Sequence, residues 1–256
     1  MLSQNIKKII IRIFSFLPDN VLKKFEKIFS ISRGKGFNFS INSEFKNVLK
    51  IQNQIDIFVD VGSNKGEYAN TVLSYFPKAK CHLFEPSNSN FRNLKKKFKH
   101  HNIKIIKRAL SDTEKNTFLY YDKKGSGQSS LYKRKLDNLK LNKKEKIRTL
   151  KMSTYFNKNI NSTVDFCKID VEGNEMKCLL GFENKIKNFK LIQFEFNACN
   201  IDSKIFFKDF WNFFQEKNFS LYRMTPSGPL KIRAYNEDDE NFAMNNYLAK
   251  NENMLN

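Results

Sequence analysis

From Ile55 to Asn197, short apolar runs alternate with stretches in which apolar residues recur every three or four positions. Short apolar runs bounded by turn signals predict buried strands, and the longer spacing predicts helices. The strands are "IDIFVDVG" (55–62), "KCHLFEP" (80–86), "IKIIKRALSD" (103–112), "VDFCKIDVEG" (164–173) and "KLIQFEFN" (190–197). The helices are "EYANTVLSYF", closed by Pro77; "SNSNFRNLKKKFKHH", capped by Ser87 or Asn88; "NEMKCLLGFENKI"; and the aromatic-rich "SKIFFKDFWNFFQEKN". In the last of these, Phe206, Phe207, Phe210, Trp211, Phe213 and Phe214 lie at helical spacing and read as core. "TFLYYDK" and "IRTLKMSTYF" are further extended pieces, and "FSLYRMT" with "LKIRAYN" closes the pattern as an antiparallel pair around "PSGP". Repeated βα units with apolar strands predict an α/β fold, a mostly parallel sheet covered by helices on both faces.

Ahead of this block, Ile6, Ile9, Ile10, Ile13, Phe14 and Leu17 form a helical stripe with Lys7, Lys8 and Arg12 between them. Pro18 ends that helix, Val21 to Phe29 forms a second, and a polar link from Ser30, "SISRGKGFNFSINSEFKN", follows. The chain divides into an N-terminal helical extension, 1–50, and an α/β domain, 51–256. An apolar stripe of this kind packs on a domain flank or lies on an anionic membrane surface. No apolar run is long enough to span a bilayer, and no secretory leader is recognised.

At 256 residues the chain suits one such domain with additions. With 26 Phe against one Trp, and Lys and Asn throughout, the composition points to AT-rich coding, so single Lys and Asn residues carry little weight. The net charge of +20 favours polyanionic partners. Nucleic acid is nonetheless disfavoured, because aromatic residues are not interleaved with basic ones. Cys81, Cys167, Cys178 and Cys199 form no CxxC pair and fit a reducing cytoplasm without disulfides.

All five central strands end at or near an acid: Asp60, Glu85, Asp112, Asp170 and Glu195. Ligands of open α/β sheets bind beyond the carboxyl ends of the strands. In "DVGSNKG", Gly62 and Gly66 permit a tight turn into a helix start, yet neither a Walker loop nor GxGxxG is present. Asp60 repels phosphate and suits the ammonium of a methionine moiety. Glu85 stands where nucleotide-binding folds hold ribose hydroxyls, and Asp112 could accept from an adenine amino group. Together, the loop and the two acids in order point to S-adenosylmethionine.

"FVDVGSNKGEY", "LFEPSNSNFRNLKKKF", "ALSD", "SSL" and, above all, "VDFCKIDVEGNEMKCLLG" followed by "IQFEFN" resemble the FkbM family of S-adenosylmethionine-dependent methyltransferases. The resemblance covers about Ile55 to Asn197. It implies the class I methyltransferase (Rossmann-like) fold with a seven-stranded sheet and an antiparallel closing strand. It also implies O-methyl transfer, commonly to a sugar, glycan or glycolipid hydroxyl. The cofactor positions are then Asp60, Gly62, Ser63, Asn64, Gly66, Tyr68, Glu85, Pro86, Ser111, Asp112 and Asp170.

On the acceptor side a sulfonium methyl needs mainly in-line positioning, with help from a base or a cation for a weakly acidic hydroxyl. Asp170, Glu172 and Glu195 are the candidates, with Lys168 as electrostatic partner. Alternatively, Lys168 pairs with Asp60 or Glu195 inside the sheet. Grouped acids also suit a divalent metal, although no ligand set is assigned. "GSGQSSLYKRK" reads as a mobile loop whose Ser129 and Ser130, with Lys133 and Arg134, could meet the acceptor, and Arg223 could line its mouth. Two other readings remain: a nucleic-acid-directed methyltransferase, and a non-catalytic cofactor-binding module held at the inner membrane face through residues 1–29.

Overall fold

The computed structural model describes residues 3–36, 39–99, 102–136 and 139–254. His100 and His101, expected at a helix end, lie outside the described residues. Helices α1 (Gln4–Phe14), α2 (Asp19–Ser32) and α3 (Ile41–Leu49) precede the sheet. Then come β1 (Ile57–Val61), α4 (Glu67–Tyr75), β2 (Lys80–Phe84), α5 (Asn88–Lys97) and β3 (Ile103–Ile106). The middle of the chain holds β4 (Ala109–Leu110), β5 (Asn116–Tyr121), β6 (Lys135–Leu136), β7 (Leu139–Lys140), β8 (Lys143–Leu150) and α6 (Met152–Asn159). It ends with β9 (Val164–Ile169), α7 (Glu175–Leu180), β10 (Phe189–Phe196), α8 (Cys199–Ser203), α9 (Phe207–Gln215), β11 (Phe219–Thr225), β12 (Gly228–Lys231) and β13 (Asn245–Asn251).

The main sheet has eight strands in the order β12-β11-β13-β10-β9-β1-β2-β3. β13 inserts antiparallel between β10 and β11, and β12 adds an antiparallel edge. The sheet therefore has one strand more than the expected seven. The fold is of the class I methyltransferase type, a mostly parallel sheet with helices on both faces and antiparallel closure. Its strand order reverses between β1 and β9, which places a crevice at their carboxyl ends.

Every residue of β9 is buried, as both faces of a central parallel strand must be. On one face Val59, Phe84, Ile192 and Phe194 meet the aromatic face of α9; Phe194 stacks on Phe210 at 4.8 Å. Phe207, Phe210, Phe213 and Phe214 are buried there, whereas Phe206 is exposed. On the other face Phe58, Phe166 and Leu191 pack against Ala69, Val72 and Leu94.

Three expectations change. The polar link contains α3, whose Phe45 and Val48 are fully buried in the second core layer. The third strand stops at Ile106, because Arg108 turns back to bond the Ile106 carbonyl at 3.0 Å. Ala109–Leu110 then pairs with β8 in a separate three-stranded sheet. "IRTLKMSTYF" is strand only to Leu150, after which it becomes α6.

Candidate active site

On the α4 face, the rows across β1, β9 and β10 change character towards the carboxyl ends. Phe58, Phe166 and Leu191 form an apolar row. Two residues further on, since side chains alternate, Asp60, Lys168 and Gln193 form a polar one, in register on adjacent strands. All three are buried. Lys168 Nζ lies 2.8 Å from Asp170 Oδ2, so its pairing partner is Asp170, neither Asp60 nor Glu195. It also faces the Tyr68 ring at 5.2 Å. The Tyr68 hydroxyl donates to Gln193 at 2.7 Å, and Gln193 donates to Glu44 of α3. Asp170, Asp60 and Glu44 hold the Lys168 ammonium charged, its pKa raised despite burial.

The loop after β1 is fixed by backbone. The N–H groups of Gly62 and Ser63 both donate to the Phe84 carbonyl at 3.0 Å. Gly62 has φ +87°, and a Cβ there would sit 1.9 Å from the Asp170 carbonyl oxygen, so only glycine fits. Gly66, also left-handed, opens α4 as its N-cap. Asn64 donates its N–H to Glu85 Oε2 at 2.8 Å, and Ser87 N–H donates to Oε1 at 2.8 Å. Burial raises Glu85 to about 7, against those two bonds.

Two cavities meet at this loop. The first is a cleft walled by Phe84, Ala109, Leu110, Leu119 and Leu131, with Glu85, Asn64 and Asn90 as polar groups. The second is lined by Glu44, Asp60, Ser63, Lys65, Tyr68, Lys168 and Asp170. Gly62, Asn64 and Asp170 belong to both.

The residues fit S-adenosylmethionine. The first cleft offers an apolar slot for a flat base, and each Glu85 oxygen keeps acceptor capacity for a ribose hydroxyl. Both Asp60 carboxylate oxygens are buried without a hydrogen-bond partner. Burial pushes Asp60 up to about 6, opposed by Lys168. An orphaned buried carboxylate needs a donor, and an ammonium supplies one.

Pro86 lines the first cleft, but Ser111 and Asp112 do not. The Ser111 hydroxyl donates to Asp112 Oδ1 at 3.0 Å, beside the β8 pairing, because the chain has already left the main sheet at Arg108. Arg108, Ala109 and Leu110 form that wall instead. Asn174, buried and donating to the Leu110 carbonyl at 3.0 Å, is a lining residue that sequence reasoning missed.

The expected mobile loop is folded back as a strap. Tyr120 and Ser130 exchange backbone bonds of 2.8 and 3.0 Å, and Ser126, Gly127, Ser129 and Leu131 close the cleft. Ser130 is fully buried, its hydroxyl donating to the Glu172 carbonyl at 2.6 Å, so it is a tie and not an acceptor contact. Arg134 spans Glu172 and Asp202, each at 3.2 Å. Arg223 does not reach the mouth of the cleft. It is buried on β11, beyond β13, and paired with Asp239.

Glu172 sits at φ +56° on the tip of the β9–α7 turn. Glu175 holds this turn, accepting from the N–H groups of Val171 at 2.9 Å and Gly173 at 3.0 Å. Burial and the Asp170 charge raise Glu172. Burial, Asp170 and Glu172 together raise Glu195 well above the carboxylate range. His82 is engaged with Tyr155 at 2.8 Å and lowered to about 4 by burial. Among the described residues, no group of three or more His, Cys, Asp or Glu is arranged to hold a metal ion.

The sheet order, the glycine turn, the ribose-type acid and the orphaned Asp60 define an S-adenosylmethionine-dependent methyltransferase. The chain belongs to the FkbM family: the methyltransferase FkbM domain model matches residues 60–221. No curated protein matches. Solved structures similar to the chain include the plantazolicin methyltransferase BamL in complex with a triazolic desmethylPZN analog and SAH, at 11% identity, 93% coverage of each chain and TM-score 0.49. A putative caffeoyl-CoA O-methyltransferase from Staphylococcus aureus is similar at 9% identity, 97% and 100% coverage, and TM-score 0.45. A putative rRNA-methylase from Clostridium thermocellum is similar at 10% identity, 84% and 97% coverage, and TM-score 0.47.

Proposed function

We propose that the enzyme methylates a hydroxyl oxygen of a sugar, glycan or glycolipid precursor. The observation that carries this reading is the set of carboxyl groups at the ends of β9 and β10. Glu172 and Glu195 are raised by burial and by Asp170, beside a charged Lys168. A carboxylate of raised pKa is a stronger base, suited to taking the proton of a hydroxyl as its oxygen attacks. Bound S-adenosylmethionine supplies an electrophilic methyl on a sulfonium. Asp60 orients its ammonium, Glu85 holds its ribose, and the strap excludes water from the cleft. Lys168 stabilises negative charge developing on the acceptor oxygen. Acids also hydrogen-bond sugar hydroxyls, which accept and donate at once.

The test is incubation with methyl-labelled S-adenosylmethionine and a fractionated cell extract, with mass spectrometry of the labelled product. Label on a sugar oxygen supports the proposal. Label confined to nucleic acid, or to a nitrogen, overturns it.

A further inference from the structure

Helices α1 and α2 contain no buried residue. Ten large apolar side chains of this segment are exposed, among them Ile9 and Ile13 at 60%, Phe16 at 79% and Phe29 at 61%. Only five other large apolar side chains among the described residues are comparably exposed. The stripe is thus not a domain-facing one, and packing on the flank is excluded for these two helices as they stand. The segment is built to hold this shape: Ser3 caps α1, Pro18 breaks the chain, and Phe14 meets Phe25 edge-on at 5.9 Å across the break. Its end is tied to the domain, since Lys35 Nζ donates to the Asp238 carbonyl. A Cβ on Gly34 would strike the Met224 carbonyl oxygen at 1.9 Å.

The charge of the segment selects the occupant. Lys7, Lys8, Arg12, Lys23, Lys24, Lys27 and Arg33 face only Asp19 and Glu26. On α1, Lys7 and Arg12 flank the arc formed by Ile6, Ile9, Ile10, Ile13 and Phe14. Cations bordering an apolar arc match the depth profile of an anionic lipid interface: acyl chains below, phosphates at the level of the cations. A second copy of this chain would set like charges against like. No described helix is long and apolar enough to cross a membrane, so contact would be in the plane of the surface. We propose that α1 and α2 form an in-plane anchor that holds the enzyme on an anionic lipid bilayer.

The experiment is co-sedimentation of the full chain with vesicles of phosphatidylcholine alone or mixed with phosphatidylglycerol, at low and high salt. Binding should be confined to the mixed vesicles and fall with salt. Ile9→Glu with Ile13→Glu should lower partition about tenfold or more, as should Lys7→Glu with Lys8→Glu, each cation near such a surface being worth about 1 kcal/mol. These residues are exposed, so circular dichroism and cofactor binding should be unchanged. Absence of binding, equal binding to the neutral vesicles, or binding indifferent to both pairs of substitutions overturns the proposal. So does a dimer in solution that Ile9→Glu with Ile13→Glu dissociates, because a second copy would then cover the face.

Discussion

The two cavities that share Gly62 are built in opposite ways. In the first cleft, Glu85 has both oxygens tied by backbone N–H groups, and apolar side chains form the walls. In the second, the Asp60 carboxylate has no hydrogen-bond partner, and Asp170 and Glu44 crowd the Lys168 ammonium. The first is a finished receptacle. The second holds unspent negative charge, which only an incoming cation or hydroxyl can satisfy. One side offers a shaped apolar slot, and the other a buried carboxylate that awaits a donor.

The largest effect should come from breaking the joint between them. Gly62→Ala places a Cβ against the Asp170 carbonyl in a left-handed conformation. Cofactor affinity by calorimetry should fall more than about a hundredfold, and the folded yield should drop as well.

The second test separates cofactor binding from turnover. Glu85→Gln should weaken cofactor binding roughly 10- to 100-fold, the value of hydrogen bonds to a charged acceptor. Glu172→Gln and Glu195→Gln should leave that affinity within about twofold while lowering turnover about a hundredfold or more, as expected for a lost base. Equal losses of binding in all three variants would erase the distinction.

A third test uses protons. Asp60 is raised from the usual carboxylate range to about 6. In the ligand-free protein its contribution to stability is complete below the ordinary Asp range and is lost as pH rises through about 6. Binding has the opposite sign, because a cation favours the carboxylate. Cofactor affinity should therefore rise with pH and level off above about 7, falling at most about tenfold per unit below 6. Asp60→Asn should flatten that profile. Smallest is Glu44→Gln, which should shift the cofactor affinity above neutral pH by about fivefold or less with unfolding almost unchanged.

Much of the two cavities was legible in the sequence, because these parts are local. The glycine turn, Asp60 and Glu85 lie at strand ends that apolar runs announce. What was hidden depended on where the chain goes next. Asp112 seemed to end a strand, but the turn at Arg108 sends Ala109 and Leu110 to another sheet. β13, "NNYLAKN", is too rich in Asn to show as a strand, and only its place between β10 and β11 stabilises it. Arg223 read as a residue of the acceptor mouth because Asp239, its partner, lies sixteen residues along in a short 3-10 helix that no apolar pattern announces. Glu44 escaped notice inside a polar-looking link, although Ser40 followed by Ile41, Phe45, Val48 and Leu49 was a helix signal.

Glu44 has a wider meaning. It lies outside residues 60–221, the portion shared with the family, yet its carboxyl accepts from Gln193 within that portion. One wall of the reaction chamber is thus encoded separately from the transferase core. Exchange of that short segment could retune the charge around Lys168 while leaving Asp60 and Glu85 in place. A shortened chain begun at the shared portion would lose that wall along with the buried Phe45 and Val48.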